Sequence, residues 1–199
     1  MHDDDSADYV RFDQRSDVVA SLDLLGSILP MLKQNAGQWK WAIIAAHSSV
    51  QGALVCALAN THGWGAFLKK NQKKYSEWAD ADFVGPQPSD WLAEFPTLLD
   101  WATEQGALSL PEPDKRALLR LNEYRTGFVH FKPGGWSIEA AGLPLLLEAA
   151  ARATCDLMLH DRVRIHLSDE EIAKIQTVPD FVTSQNKRSA QPEIAAPPF

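Results

Sequence analysis

The sequence is poor in the residues from which most catalytic and metal-binding signatures are made. Two cysteines occur in 199 residues, Cys56 and Cys155, far apart and each within an apolar stretch. That excludes a disulfide framework and a paired-cysteine zinc site, and leaves two buried thiols as the expectation. There is no Gly-rich phosphate loop, no helix with paired metal-binding His and no Gly-x-Ser-x-Gly elbow. The expectation is therefore no metal and no cofactor. No basic-then-apolar leader opens the chain, and no uninterrupted apolar run approaches ~18 residues. A soluble, cytoplasmic protein without membrane association is expected. Positive charge is also scarce: 19 Lys and Arg stand against 26 Asp and Glu, a net charge of −7. Such a balance argues against a general nucleic-acid coat, which needs Lys and Arg over phosphates.

What the chain does have is ordinary globular material, 45% hydrophobic and 23% charged, enough for one domain with appendages. The negative charge sits at the ends. Residues 1–30 hold seven Asp against two Arg, and residues 167–199 hold five acids against three bases. The centre, 31–166, balances at fourteen of each. A local basic site on a neutral core is compatible with that distribution. The expected organisation is an acidic, partly flexible segment at 1–16, a helical domain at 17–167, and a short helix with a Pro-rich tail at 168–199.

Apolar periodicity is helical throughout. Ser16 or Asp17 caps a first helix carrying Val18, Leu22, Leu25 and Leu29, which Pro30 interrupts. Residues 38–60 are apolar nearly all round and predict the central, most buried helix. His47 and Gln51 lie one turn apart on it, His47 reading as a hydrogen-bonded core or interface residue. A loop follows over 63–88, in which Lys69, Lys70, Lys73 and Lys74 cluster beside Trp64, Phe67, Tyr75 and Trp78. Basic residues interleaved with aromatics are suited to a nucleic-acid strand, although a solvated loop is the plainer reading. Ser89 and Asp90 start a helix facing Trp91, Leu92 and Phe95 inward. Helices at about 114–131 and 143–167 follow, then a Ser168–Glu171 capping box. Beyond Pro179 no periodicity is seen. Together these predict an all-α, up-and-down bundle of four main helices with short additions.

The informative stretch is 121–139, LNEYRTGFVHFKPGGWSIE. Leu118, Leu121, Tyr124, Phe128 and Phe131 form a buried face, and Asn122, Glu123, Thr126 and His130 a polar stripe. Arg125 and His130 precede a sharp Pro-Gly-Gly break. On an ideal helix their five-residue separation places them about 140° apart, so they converge if the helix end unwinds or if two copies meet. Lys115, Arg116, Arg120 and Lys132 make this helix locally basic. The structural readings are an ion pair from Arg125 to Glu123, Glu139 or Glu148, and a C-terminal cap for His130.

Arg-x4-His late in a helical bundle, after a helix reading WAIIAAHSSVQGALVCAL, resembles the HEPN superfamily. FVHFKPGGWSIE is similar to a bacterial branch of it. The resemblance covers about 18–167. It implies a homodimeric, metal-independent endoribonuclease of toxin or defence type, acting on RNA and, as a toxin, held by an antitoxin-type protein partner. It also implies Arg125 as phosphate clamp and His130 as general acid/base. Thr126, Asn122, Glu123 and His47 are the supporting candidates, and Arg116, Arg120, Lys132, Lys69 and Lys70 the candidate nucleic-acid contacts. In active members the residue after the Arg is often Asn, Asp or His, where this chain has Thr126. The alternative is a non-catalytic HEPN-like module that binds nucleotide or RNA, or that only contacts protein. A third reading makes the chain itself antitoxin-like, with its acidic N-terminus and Pro-rich tail as interaction arms.

Overall fold

The computed structural model describes residues 10, 12–59, 61–130 and 133–190, with the backbone alone at 188–190. Residues 1–9, Phe131, Lys132 and the end of the expected tail, 191–199, lie outside the described residues. Among the described residues there are eight α-helices and no β-strand, so the chain is an all-α helical bundle.

α1 (Gln14–Ile28) starts three residues earlier than expected, because Asp13 and Ser16 cap each other. Asp13 accepts from the Arg15 and Ser16 N–H groups, and the Asp13 N–H donates to Ser16 Oγ. Pro30 ends the helix in a single 3-10 turn at Leu29–Met31. α2 (Gln38–Leu58) is the centre of the bundle. By length and composition it could cross a bilayer, yet most of it is enclosed by α1, α4, α5 and α6. Ala, Ser and Gly along α2 let its neighbours come close. A Cβ at Gly52 would stand 2.6 Å from Val18 Cγ2 of α1.

Residues 63–88 are not a plain loop: α3 (Lys69–Asp80) occupies the middle of them. Tyr75 is buried there among Trp64, Phe67 and Trp78, with ring centres 5.1, 5.3 and 6.0 Å away. Asn71 donates to the Ser89 carbonyl at 2.7 Å, and Gln72 to the Gly65 and Phe67 carbonyls. A satellite aromatic cluster thus holds a helix whose outer face is Lys-rich.

α4 (Phe95–Glu104) begins later than expected, with Pro96 in its first turn, where its missing N–H costs nothing. Trp91 is 70% exposed and Leu92 40% exposed, so neither faces inward. Residues 91–93 instead run antiparallel to 66–68, with Leu68 N–H to Trp91 O and Ala93 N–H to Ala66 O. α5 (Glu112–Val129) carries the motif, and α6 (Leu143–Leu159) packs on α2, α5 and α8. The chain expected to stay helical to 167 breaks at His160, whose backbone is extended, before α7 (Asp161–Arg164).

α8 (Asp169–Ala190) corrects the expected tail. Its start is the anticipated box, with Glu171 Oε2 accepting from the Ser168 N–H at 2.7 Å. It then continues through Pro179, which ordinarily costs a helix about 3 kcal/mol. Packing offsets that cost. Ile175 and Val182 are fully buried, and Asn186 donates to the Pro144 carbonyl and to Glu148.

Candidate functional site

α5 is pinned before it reaches the motif. Pro113 sits in its first turn, and Arg152 of α6 grips Asp114 through two hydrogen bonds of 2.9 and 3.3 Å. Leu118 and Leu121 are fully buried, which fixes the rotation of the helix. Asn122 then faces α2, and its Oδ1 lies 2.9 Å from His47 Nε2, the imidazole N–H donating. His47 is only 1% exposed and packs on Phe95, ring centres 4.6 Å apart. Burial drives its pKa down to about 4; the Asn122 bond opposes the shift and the Arg125 charge adds to it. At neutral pH this imidazole is uncharged and serves to orient Asn122.

Arg125, one turn beyond Leu121, is half-buried and lines an open cleft of about 460 Å³. Gln14 and Asp17 of α1, Ser48 and Gln51 of α2, and Asp90 of the following loop form the polar part of its wall. Among the described residues Arg125 makes neither an ion pair nor a side-chain hydrogen bond. Its expected carboxylate partners lie elsewhere: Glu123 pairs with Arg120 at 2.6 Å and Glu148 with Arg152 at 3.8 Å, while Glu139 makes no ion pair among the described residues.

His130 occupies the C-cap of α5. Its backbone N–H still reaches the Thr126 carbonyl at 2.9 Å, but φ −108° and ψ 55° take the chain out of the helix. The helix therefore ends at His130, and its side chain is exposed. It lines a separate cavity of about 360 Å³ with Thr126, Gly127, Pro133, Gly134 and Trp136. Trp136 lies against the helix at Gly127, where a Cβ would stand 2.9 Å from its Cη2. Tyr124 and Phe128 flank it, with ring centres 5.9 and 5.0 Å away. Arg125 and His130 thus open into different cavities of one protomer.

The other candidates are spread along the surface. Arg116 pairs with Glu112 at 3.5 Å, and Arg120 lies over the Tyr124 ring as well as on Glu123. Exposed pairs of this kind contribute little stability and exchange readily for a phosphate. Lys69 sits 4.3 Å above the Trp101 ring and Lys70 is exposed, both on α3 and away from Arg125's cleft. Lys132 lies outside the described residues. Among the described residues no group of three or more His, Cys, Asp or Glu is arranged to hold a metal ion. Gln14, Asp17, Ser48 and Asp90 have no local signature in the sequence, since only folding brings them to Arg125. Compared with family models, with curated proteins and with solved structures, the chain gives no significant match.

Proposed function

We propose that this chain is a HEPN-like protein built on an up-and-down four-helix core of α1, α2, α5 and α6, which binds RNA through a phosphate on Arg125. The observation that carries the reading is the half-buried guanidinium that makes no ion pair among the described residues. A cation withdrawn from water without a partner is costly, and an incoming phosphate relieves the cost with two parallel hydrogen bonds. Gln51, Ser48 and Gln14 add neutral donors around the same space. This is the binding-module form of the resemblance, and a homodimer is part of it.

A second reading, metal-independent RNA cleavage, is favoured by one specific observation. Thr126 and His130 are exposed at an open cavity beside the motif helix. Within one protomer His130 does not reach the Arg125 cleft, so cleavage needs a second copy to present its own His130. That imidazole would take the 2′-OH proton as the oxygen attacks phosphorus and pass it to the leaving 5′-oxygen, while Arg125 would hold the phosphorane charge.

One comparison tests both readings. RNA binding and RNA cleavage are measured in EDTA for the wild type, Arg125→Ala and His130→Ala. Binding lost in Arg125→Ala, retained in His130→Ala and accompanied by no cleavage supports the binding module. Cleavage that survives EDTA and disappears in both variants, with both still dimeric, establishes the ribonuclease. A wild type that neither binds nor cleaves RNA overturns both.

A further inference from the structure

The Arg125 cleft does not stop at α1. Gln14, Val55 and Gly63 line it and also line a neighbouring cavity of about 330 Å³. The far wall of that second cavity holds Arg15, Cys56, Arg162 and His166. With three residues in common, the two spaces adjoin along the first turn of α1 and the second half of α2. They form one groove.

Its chemistry is unusual for a chain of net charge −7. Three arginines line it. Arg125 and Arg162 make no ion pair among the described residues. Arg15 is held in place, its Nη1–H donating to the His166 carbonyl at 2.9 Å and its Nη2 lying 3.6 Å from Asp13. The Cys56 thiol adds no negative charge, because burial pushes its pKa up to about 11. Two carboxylates, Asp17 and Asp90, also line the groove, both at the Arg125 end. A track for phosphates alone has no use for them. Carboxylates accept hydrogen bonds, and they suit a ligand in which hydroxyls alternate with phosphates. RNA is such a ligand and DNA is not.

We propose that this groove takes two successive nucleotides of single-stranded RNA. One phosphate sits on Arg125 with its ribose hydroxyl against Asp17 and Asp90, and the next phosphate sits on Arg162 and Arg15. The inference rests on the reading of Arg125 as a phosphate site, and its test separates the two.

Fluorescence anisotropy is measured in EDTA over a range of salt, with a labelled hexauridylate, its deoxy counterpart and competing uridine 3′-monophosphate. Arg125→Gln is expected to weaken the hexamer and the mononucleotide alike, by about tenfold. Arg162→Gln, on the exposed surface of α7, is expected to leave the mononucleotide unchanged. It should weaken the hexamer several-fold and lower the salt dependence by about 0.7, the increment for one phosphate on a single strand. The ribo-hexamer should bind more tightly than the deoxy form, and the gap should close in Asp17→Asn combined with Asp90→Asn. If Arg162→Gln binds the hexamer as the wild type does while Arg125→Gln does not, the extended groove is wrong and the Arg125 site stands. Equal binding of the ribo and deoxy hexamers removes the role given to the two carboxylates. A wild type that binds neither hexamer nor mononucleotide overturns the groove and the Arg125 site together.

Discussion

Arg125 on α5 and His130 at its C-cap stand five residues apart, yet they belong to two differently built places. The space around Arg125 is assembled from α1, α2, α5 and the loop at Asp90, segments far apart along the chain. The buried His47–Asn122 pair joins α2 to α5, the helix that carries Arg125. The space around His130 is made almost wholly from 126–136, a helix end and the turn that follows. The first draws most of its walls from helices packed on one another. The second is held chiefly by Trp136 leaning on Gly127, and Trp136 is itself 40% exposed. A phosphate site gains from the first kind of construction, since an immobile cation needs little reorganisation to meet its anion. A proton-transferring group, which must meet solvent or a second copy, is suited to the second.

The largest effect that would break this contrast is one of pH. Folding lowers the His47 pKa from its ordinary 6.5 to about 4, so below 6.5 the unfolded chain takes up a proton that the folded chain refuses. Stability is therefore full above pH 6.5 and falls as the pH drops towards 4, by up to about 3 kcal/mol. Asp13 and Glu171, held low by their cap hydrogen bonds, lose their contribution only further into acid; Asp156, raised by burial, acts in the opposite sense. Denaturant unfolding at pH 7 and pH 4.5 measures the total, and His47→Gln isolates the part from His47 by flattening the slope. An unchanged slope in that variant would mean that the His47–Asn122 pair is not the dry, fixed element described.

Next in size comes a matched pair of glycine substitutions. In Gly52→Ala the new methyl meets Val18, which is fully buried and has nowhere to go. Overpacking should cost about 1–3 kcal/mol, and parting α1 from α2 should weaken whatever Arg125 binds. In Gly127→Ala the methyl meets the half-exposed Trp136, which can swing outward. Alanine also gains about 1 kcal/mol of helix propensity there, so the net change should stay within about 1 kcal/mol. The visible effect should be a moved Trp136 indole N–H resonance, with the His47 ring signals unchanged. Equal losses at both glycines would erase the difference between the two regions.

The smallest expected effect is His130→Ala, within about 0.5 kcal/mol on thermal unfolding, as for an exposed side chain with no hydrogen bond or ion pair among the described residues. A loss of 2 kcal/mol would make His130 a structural cap and weaken any role for it in chemistry.

Much of the helical frame was legible in the residues. The apolar run of α2, the Ser168–Glu171 box, the interruption at Pro30 and the Pro-Gly-Gly stop after α5 are all local signals, and all appear where expected. The misses were places where long-range packing overruled a local rule. Pro179 pointed to a helix end, but Ile175, Val182 and Asn186 bury one face of α8 and carry it onward. Their spacing was readable, and the proline outweighed it. The Lys-rich run at 69–74 looked like loop because its aromatic anchor, Tyr75 among Trp64, Phe67 and Trp78, closes only in three dimensions. Trp91 and Leu92 looked like an inward helix face, and instead lie on an extended segment bonded to 66–68.

For the candidate site the division is sharper. Sequence alone determined that Arg125 lies on a helix that ends close to His130, that a break follows and that a His and a Gln lie one turn apart on the central helix. Those facts depend on helical periodicity and on the backbone limits of Pro and Gly, which act over a few residues. Only tertiary structure decided that Arg125 opens beside Gln14, Asp17 and Asp90 with no ion pair among the described residues, that His47 is dry and held by Asn122, and that His130 faces another cavity. Burial and charge pairing are properties of whichever segments the core brings together, and no stretch of chain carries them by itself.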